Sequence, residues 1–246
     1  MRAFPIVLCG CCAVLADAAM MQSSLLHGAL TSMRAMTAMR ATELDDDEQR
    51  VVVPPQRDSF RKIFDGKDLT GWQGDTAGYS VVNGELHCTA KGKNLWTKDR
   101  YGDFHLRFDF KLTPGANNGL GIRMPGDGDA AYVGMELQIL DDGDPQYATL
   151  HPWQYHGSIY GVVAAKRGHL KPVGEWNAQE VIVRGSRVKV VLNGVTIVDA
   201  DVQPFADGGT PDGKDHPGLR RQSGFIGFLG HGHGVWFKDI ELKELK

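Results

Sequence analysis

With 246 residues, a net charge of −3 and 42% hydrophobic residues, the chain can fill one large domain with a packed core, which rules out wholesale disorder. Charges of both signs are interspersed, so the basic footprint required by nucleic acid or an anionic membrane surface is missing. The 31 glycines suit a chain of frequent turns better than a helical one.

The first segment reads as an export signal over residues 1–18. Met1 and Arg2 give a short positive start, Ala3 to Leu15 an apolar run, and Ala16-Asp17-Ala18 small residues at the cleavage positions. That run is too short to span a bilayer. Leu8-Cys9-Gly10-Cys11 loosely resembles a lipid-attachment box, but only about seven apolar residues precede Cys9, so a lipid anchor is disfavoured. A secreted or periplasmic location follows as the expectation. Residues 19–57 carry methionines and alanines, the acidic run Asp45-Asp46-Asp47-Glu48 and Pro54-Pro55, and read as a disordered linker. The folded body is expected over residues 58–246. Cys9, Cys11 and Cys12 lie in the leader, so Cys88 stands alone in the body and an internal disulfide there is excluded. Cys88 reads as a small strand residue in preference to a nucleophile.

The body alternates with a period of two. Val81-Val82 and Glu85-Leu86 flank the turn pair Asn83-Gly84. Phe104, Leu106, Phe108, Phe110 and Leu112 alternate with His105, Arg107, Asp109 and Lys111, giving a strand with one buried and one wet face. A second strand is expected over Val133 to Leu140, with Val133, Met135, Leu137 and Ile139 on one side and Gly134, Glu136, Gln138 and Leu140 on the other. Two hairpins follow, through Gly185-Ser186 and Asn193-Gly194, and the chain closes with strands over Gly224 to Leu229 and Val235 to Leu242. In all, about eleven short strands and no convincing amphipathic helix are predicted. That pattern predicts an all-β fold, a two-sheet antiparallel jelly-roll sandwich.

Several strings, in order, resemble the family of 3-keto-disaccharide hydrolases. They begin at Ile63-Phe64-Asp65-Gly66-Lys67-Asp68-Leu69-Thr70-Gly71-Trp72 and continue through Leu95-Trp96-Thr97, Tyr101-Gly102-Asp103-Phe104 and Asn117-Asn118-Gly119-Leu120-Gly121-Ile122-Arg123. Glu136 to Asp142, Ser158-Ile159-Tyr160-Gly161, Gly174-Glu175-Trp176-Asn177 and Val191-Leu192-Asn193-Gly194 follow, and the last string runs from His231 to Ile240. The likeness spans roughly residues 60–245. It implies a concanavalin A-like sandwich whose concave sheet holds a sugar, hence an oligosaccharide or glycoside substrate. One place departs from the family pattern, which has Gln-Asp before the His-Gly-His run where this chain has Leu229-Gly230.

Glu136 and Gln138 sit two apart on a predicted strand and share a face, either as site residues or as mere solvated surface. Arg123 shares parity with Gly119 and Gly121, which would clear space for a ligand beside it. His231 and His233 share a face if their segment stays extended. They read as acid/base groups, as exposed imidazoles of a glycine-rich turn, or as metal ligands with Glu136 or Asp141; the flanking glycines weaken a rigid chelate. Asp141-Asp142-Gly143-Asp144 reads as a turn rather than a calcium loop. Trp153, Tyr155 and Trp176 suit either sugar stacking or core packing, and Tyr160 and Lys166 belong to the same loop region. The candidate catalytic residues are therefore Glu136, His231, His233 and Arg123. Those for substrate binding are Asn118, Gln138, Asp141, Trp153, Tyr160 and Lys166. No phosphate-binding loop, nucleophile elbow or Cys-x-x-Cys pair occurs in the body, and no cofactor or resident metal is expected.

The chemistry implied by the resemblance is elimination. A carbonyl at C3 acidifies the C2 hydrogen, a base removes it, the C1 substituent leaves and water adds back. Glu136 or a histidine is the expected base, and Arg123 or His233 the stabiliser of the enolate. Ordinary glycosidases use two carboxylates, and Gln138 stands where a second one would be. A non-catalytic carbohydrate-binding module of the same fold is the alternative.

Overall fold

A computed structural model describes residues 59–246; the expected signal and linker lie outside them. The strands in chain order are β1 (Arg61–Lys62), β2 (Trp72–Gly74), β3 (Tyr79–Val82), β4 (Glu85–Cys88), β5 (Asn94–Thr97), β6 (Phe104–Leu112) and β7 (Asn117–Met124). After helix α1 (Ala130–Val133) come β8 (Met135–Leu140), β9 (Trp176–Arg184), β10 (Arg187–Leu192) and β11 (Val195–Asp201). Helix α2 (Gln203–Gly208), β12 (Phe225–Gly230) and β13 (Val235–Glu244) complete the body.

Two antiparallel sheets form from these strands. One has eight strands in the order β11-β10-β9-β6-β13-β4-β3 with β1 on β13; the other has five in the order β2-β5-β12-β7-β8. The alternation of β6 is realised in full, since Phe104, Leu106, Phe108, Phe110 and Leu112 are all buried. At Asn83-Gly84 and Asn193-Gly194 both residues have positive φ, as the tight hairpins of that pairing require. The core is an aromatic stack across the sheets. Phe228 of β12 lies 3.8 Å from Phe237 of β13 and 5.7 Å from Phe108 of β6, with Trp72 of β2 behind it. These side chains remove their apolar area from water at roughly 25 cal/mol per Å².

Two expectations are corrected. Val133 ends α1 instead of starting a strand, because Asp129 caps the helix by accepting from the Ala131 N–H at 3.1 Å. Arg123 does not share the face of Gly119 and Gly121. Its φ of 53° puts a bulge in β7, and a bulge reverses the side on which the next side chain falls.

Candidate active site

The outward face of the five-stranded sheet follows from register. Leu120 and Ile122 of β7, and Met135, Leu137 and Ile139 of β8, belong to the core between the sheets. Gly119, Gly121, Glu136 and Gln138 therefore face out, with Gly119 opposite Gln138 and Gly121 opposite Glu136. Beyond β8 the segment around Ile159 pairs with Leu137, and the Tyr160 N–H donates to the Glu136 carbonyl at 2.9 Å. Tyr160 thus continues the row of Glu136 past the sheet edge. On the other side, Trp96 crosses the bare backbones of Gly227 and Gly121; a Cβ at either glycine would collide with its ring. Trp96, Leu229, Met124 and Ala130 form a small apolar cluster on this face, separate from the main core.

Glu136 lies beside that cluster and is 6% exposed. Its carboxylate occupies the space over Gly119, where any side chain would overlap Oε1, so glycine is required there to seat the acid. Oε1 also lies 3.3 Å from Nε2 of His231, whose side chain is 42% exposed. The hydrogen bond to Glu136 raises the His231 pKa above its ordinary value; burial opposes this and the charge of Asp129 adds to it. In the neutral ring, Nε2–H donates to the carboxylate and leaves the Nδ1 lone pair free. Gln138, 5% exposed, and Asn117 each present a buried side-chain oxygen with no partner among the described residues. Asn117 faces out because Asn118 beside it faces in. Such acceptors are costly when left unpaired and suit hydroxyl donors of a ligand.

Glu136, Gln138 and His231 are thus brought together, with Tyr160 next in the row. The remaining candidates are distributed otherwise. Arg123 turns between the sheets, 1% exposed, where Nη2 donates to the Gly185 carbonyl at 2.7 Å and faces Asp103 at 3.4 Å. It ties the ends of the two sheets. Asn118 also points inward, its amide 3.6 Å from Cys88 Sγ and its oxygen accepting from the Gly119 N–H. Asp141 organises a turn by accepting from the N–H groups of Gly115 and Gly143. Lys166 is exposed and its N–H donates to Ile197 on the edge strand β11 of the other sheet.

Gly232, with φ of 90°, turns the chain between the two histidines, so they do not share an extended face. His233 Nδ1 is buried without a partner among the described residues. Among those residues no three His, Cys, Asp or Glu side chains are gathered to hold a metal. Trp153 is half-buried and stacks on His151 at 4.7 Å with the rings nearly parallel. Tyr155 is buried under the Arg167 guanidinium. Trp176 lies between Lys111 and Lys238 on the eight-stranded sheet.

Sequence reasoning passed over Asn117 and Trp96. The parity of Asn117 with Gly119 and Gly121 was a usable signal; the placement of Trp96 over two glycines from different strands was not. The departure at Leu229-Gly230 also has a local reason. Leu229 packs in the apolar cluster with Trp96. A side chain at position 230 would run into the Gly92 backbone and Cys88 Sγ, so an Asp does not fit there in this chain.

A family model described as a 3-keto-alpha-glucoside-1,2-lyase-like domain matches residues 59–243. A 3-keto-disaccharide hydrolase of Bacteroides thetaiotaomicron is 23% identical over 259 aligned positions, covering 85% of this chain and 84% of that protein. A crystal structure of a candidate glycosyl hydrolase from Parabacteroides distasonis superposes with a TM-score of 0.69 at 31% identity, covering 76% of this chain and 100% of that one. A second candidate glycosyl hydrolase from the same organism gives 0.68 at 24% identity, covering 76% and 94%.

Proposed function

The chain belongs to the 3-keto-alpha-glucoside-1,2-lyase-like family, and on that premise we propose that it cleaves a 3-keto-glycoside by elimination across C1 and C2, followed by hydration. The observation that carries the reading is the His231–Glu136 pair at 3.3 Å on the outward face of the five-stranded sheet. His231 Nδ1 takes the C2 proton while Glu136 holds Nε2–H and stabilises the imidazolium that forms. The C2–H electrons form the C1=C2 bond, the C1–O bond breaks, and the proton on His231 passes to the departing oxygen. Water then adds hydroxyl to C1 and hydrogen to C2, which restores a 3-keto sugar.

Arg123, turned between the sheets, is not available to meet the enolate oxygen. Gln138 and Asn117 accept from sugar hydroxyls. A binding module without turnover is the second reading, and the apolar cluster of Leu229 and Trp96 on this face supports it. The test is turnover of purified protein on 3-keto-glucosides beside the unoxidised glucosides. Cleavage of the 3-keto substrate alone is expected, and His231→Ala should lose about 10²- to 10⁴-fold in kcat, the span of a general base. Cleavage of the unoxidised sugar alone, or full activity in His231→Ala, would overturn this mechanism. Glycan binding with no turnover of any keto sugar would establish the module.

A further inference from the structure

His216 is buried, 3% exposed, and takes no part in the proposed chemistry. Its Nδ1 lies 3.0 Å from the Ala131 carbonyl oxygen, and its Nε2 lies 3.1 Å from both carboxylate oxygens of Asp212. A carbonyl has no proton to give. Nor has Asp212. Burial works to raise its carboxyl, but hydrogen bonds from the Lys214 N–H, the Thr210 hydroxyl and the His216 ring hold it below the ordinary value. Both ring nitrogens must therefore donate, and the ring that makes both contacts is the imidazolium. A neutral ring would turn a lone pair toward one of the two acceptors.

The other groups around the ring do not compete for these contacts. Tyr132 of α1 packs on it at 4.9 Å. The Lys214 ammonium is turned to the Tyr132 hydroxyl at 2.6 Å, and Arg221 donates to the Val133 carbonyl at 2.7 Å. Asp215 is exposed, and Gly161 brings bare backbone, where a Cβ would collide with the ring.

The residues held in this way lead straight into the proposed site. Residues 212–221 grip Ala131, Tyr132 and Val133 in turn, and Gly218 seats so closely on the Gly134 backbone that a Cβ there would overlap it. Helix α1 has only four residues, so its carbonyls lack intrahelical partners; His216 and Arg221 supply two. Gly134 stands two residues before Glu136. On the other side of α1, Ala130 and Val133 pack with Trp96 and Leu229, which both lie over Gly121, the register partner of Glu136.

We infer that His216 is a positioning residue for Glu136, that it acts through α1 and only as the imidazolium, and that loss of its second proton sets the alkaline edge of activity. The activity arm of the test rests on the elimination reading; the structural arm does not.

The experiment follows two quantities against pH in the unmodified chain and in Asp212→Asn. One is kcat/KM on a 3-keto-glucoside, and the other is amide hydrogen exchange over residues 131–136, corrected for the intrinsic rate. In Asp212→Asn the side-chain oxygen still accepts from Thr210 and Lys214, while the new amide donates to a neutral His216 ring. In the unmodified chain kcat/KM should fall about tenfold per pH unit on the alkaline side, the slope of one required proton. Protection over residues 131–136 should fall with it, while that of β6 stays. In Asp212→Asn both losses should vanish or move to higher pH. An alkaline limb in the same place in both proteins, or none in the unmodified chain, would overturn the inference. So would protection over residues 131–136 that ignores pH, or an equal loss in β6, which would make the pair a part of global stability. If no keto sugar is cleaved, the elimination reading fails by itself, and exchange in the unmodified chain judges the positioning.

Discussion

His231 meets Glu136 at a boundary between burial and solvent, and the hydrogen bond with the carboxylate keeps its imidazole protonated to higher pH than a free histidine. A base works only when unprotonated. The proposed reaction should therefore lose rate as pH falls through a His231 value above the ordinary 6.5 or so. Glu136→Gln removes the largest cause of the upward shift and leaves burial, which lowers it, less opposed. The acid limb of the kcat/KM profile should then move to lower pH, while the plateau falls because the imidazolium has lost its counter-charge. A limb that stays in place would show that another group titrates. The linkage to folding has its own sign. A raised histidine value favours the folded state fully below the unfolded value and loses that contribution as pH rises through the folded one, so the pair helps the fold most where the proposed base is protonated.

At the scale of strands, the tie between β8 and β9 is His156, which sequence reasoning left unmarked. The Leu140 N–H donates to Nδ1 at 3.3 Å, so the proton sits on Nε2 and is donated to Gln179 Oε1 at 3.0 Å. The ring also stacks on Phe110 of β6 at 5.0 Å. Burial lowers its pKa to about 4, against about 6.5 in the unfolded chain. Between those values the unfolded chain holds a proton that the folded one does not. Stability should fall by on the order of 3 kcal/mol as pH drops through that window. Urea unfolding across that range measures the fall, and His156→Gln, which can still accept and donate, should flatten it. A slope unchanged in the variant would assign the acid sensitivity to other groups. The contrast with β6 explains what could be read in advance. Five alternating apolar residues announce β6 and its face, and Asn-Gly announces the hairpins. Glu136 and Gln138 could be paired because nothing interrupts the alternation of β8. Arg123 could not be placed, because a positive φ at an arginine leaves no trace in composition or period. Asn118 and Asn117 are adjacent and chemically identical, and it is the parity of Asn117 with Gly119 and Gly121 that separates the outward one from the inward one.

Across the whole molecule the two outer faces differ in how fully their polar groups are paired. On the eight-stranded sheet Arg107 meets Glu241 at 2.6 Å, His105 meets Glu180 at 2.7 Å, and Trp176 lies between Lys111 and Lys238 at 4.6 and 4.5 Å. These groups satisfy one another in solvent, where such pairs add little. On the five-stranded sheet Gln138 and Asn117 bury acceptors that have no partner among the described residues, each a cost of about 1–3 kcal/mol to folding if left unpaired. A face that carries such a cost beside a pre-set acid–imidazole pair fits binding better than bare packing, and this is the physical reason for choosing between the two. It also makes a prediction about the aromatic that sequence alone left open. Trp176→Ala should keep kcat/KM within about twofold on a 3-keto-glycoside and lose about 0.5–1 kcal/mol of stability per cation–π contact removed, read by urea unfolding. Loss of turnover in a folded Trp176→Ala protein would move the site to the eight-stranded sheet and leave the Glu136–His231 pair as structure.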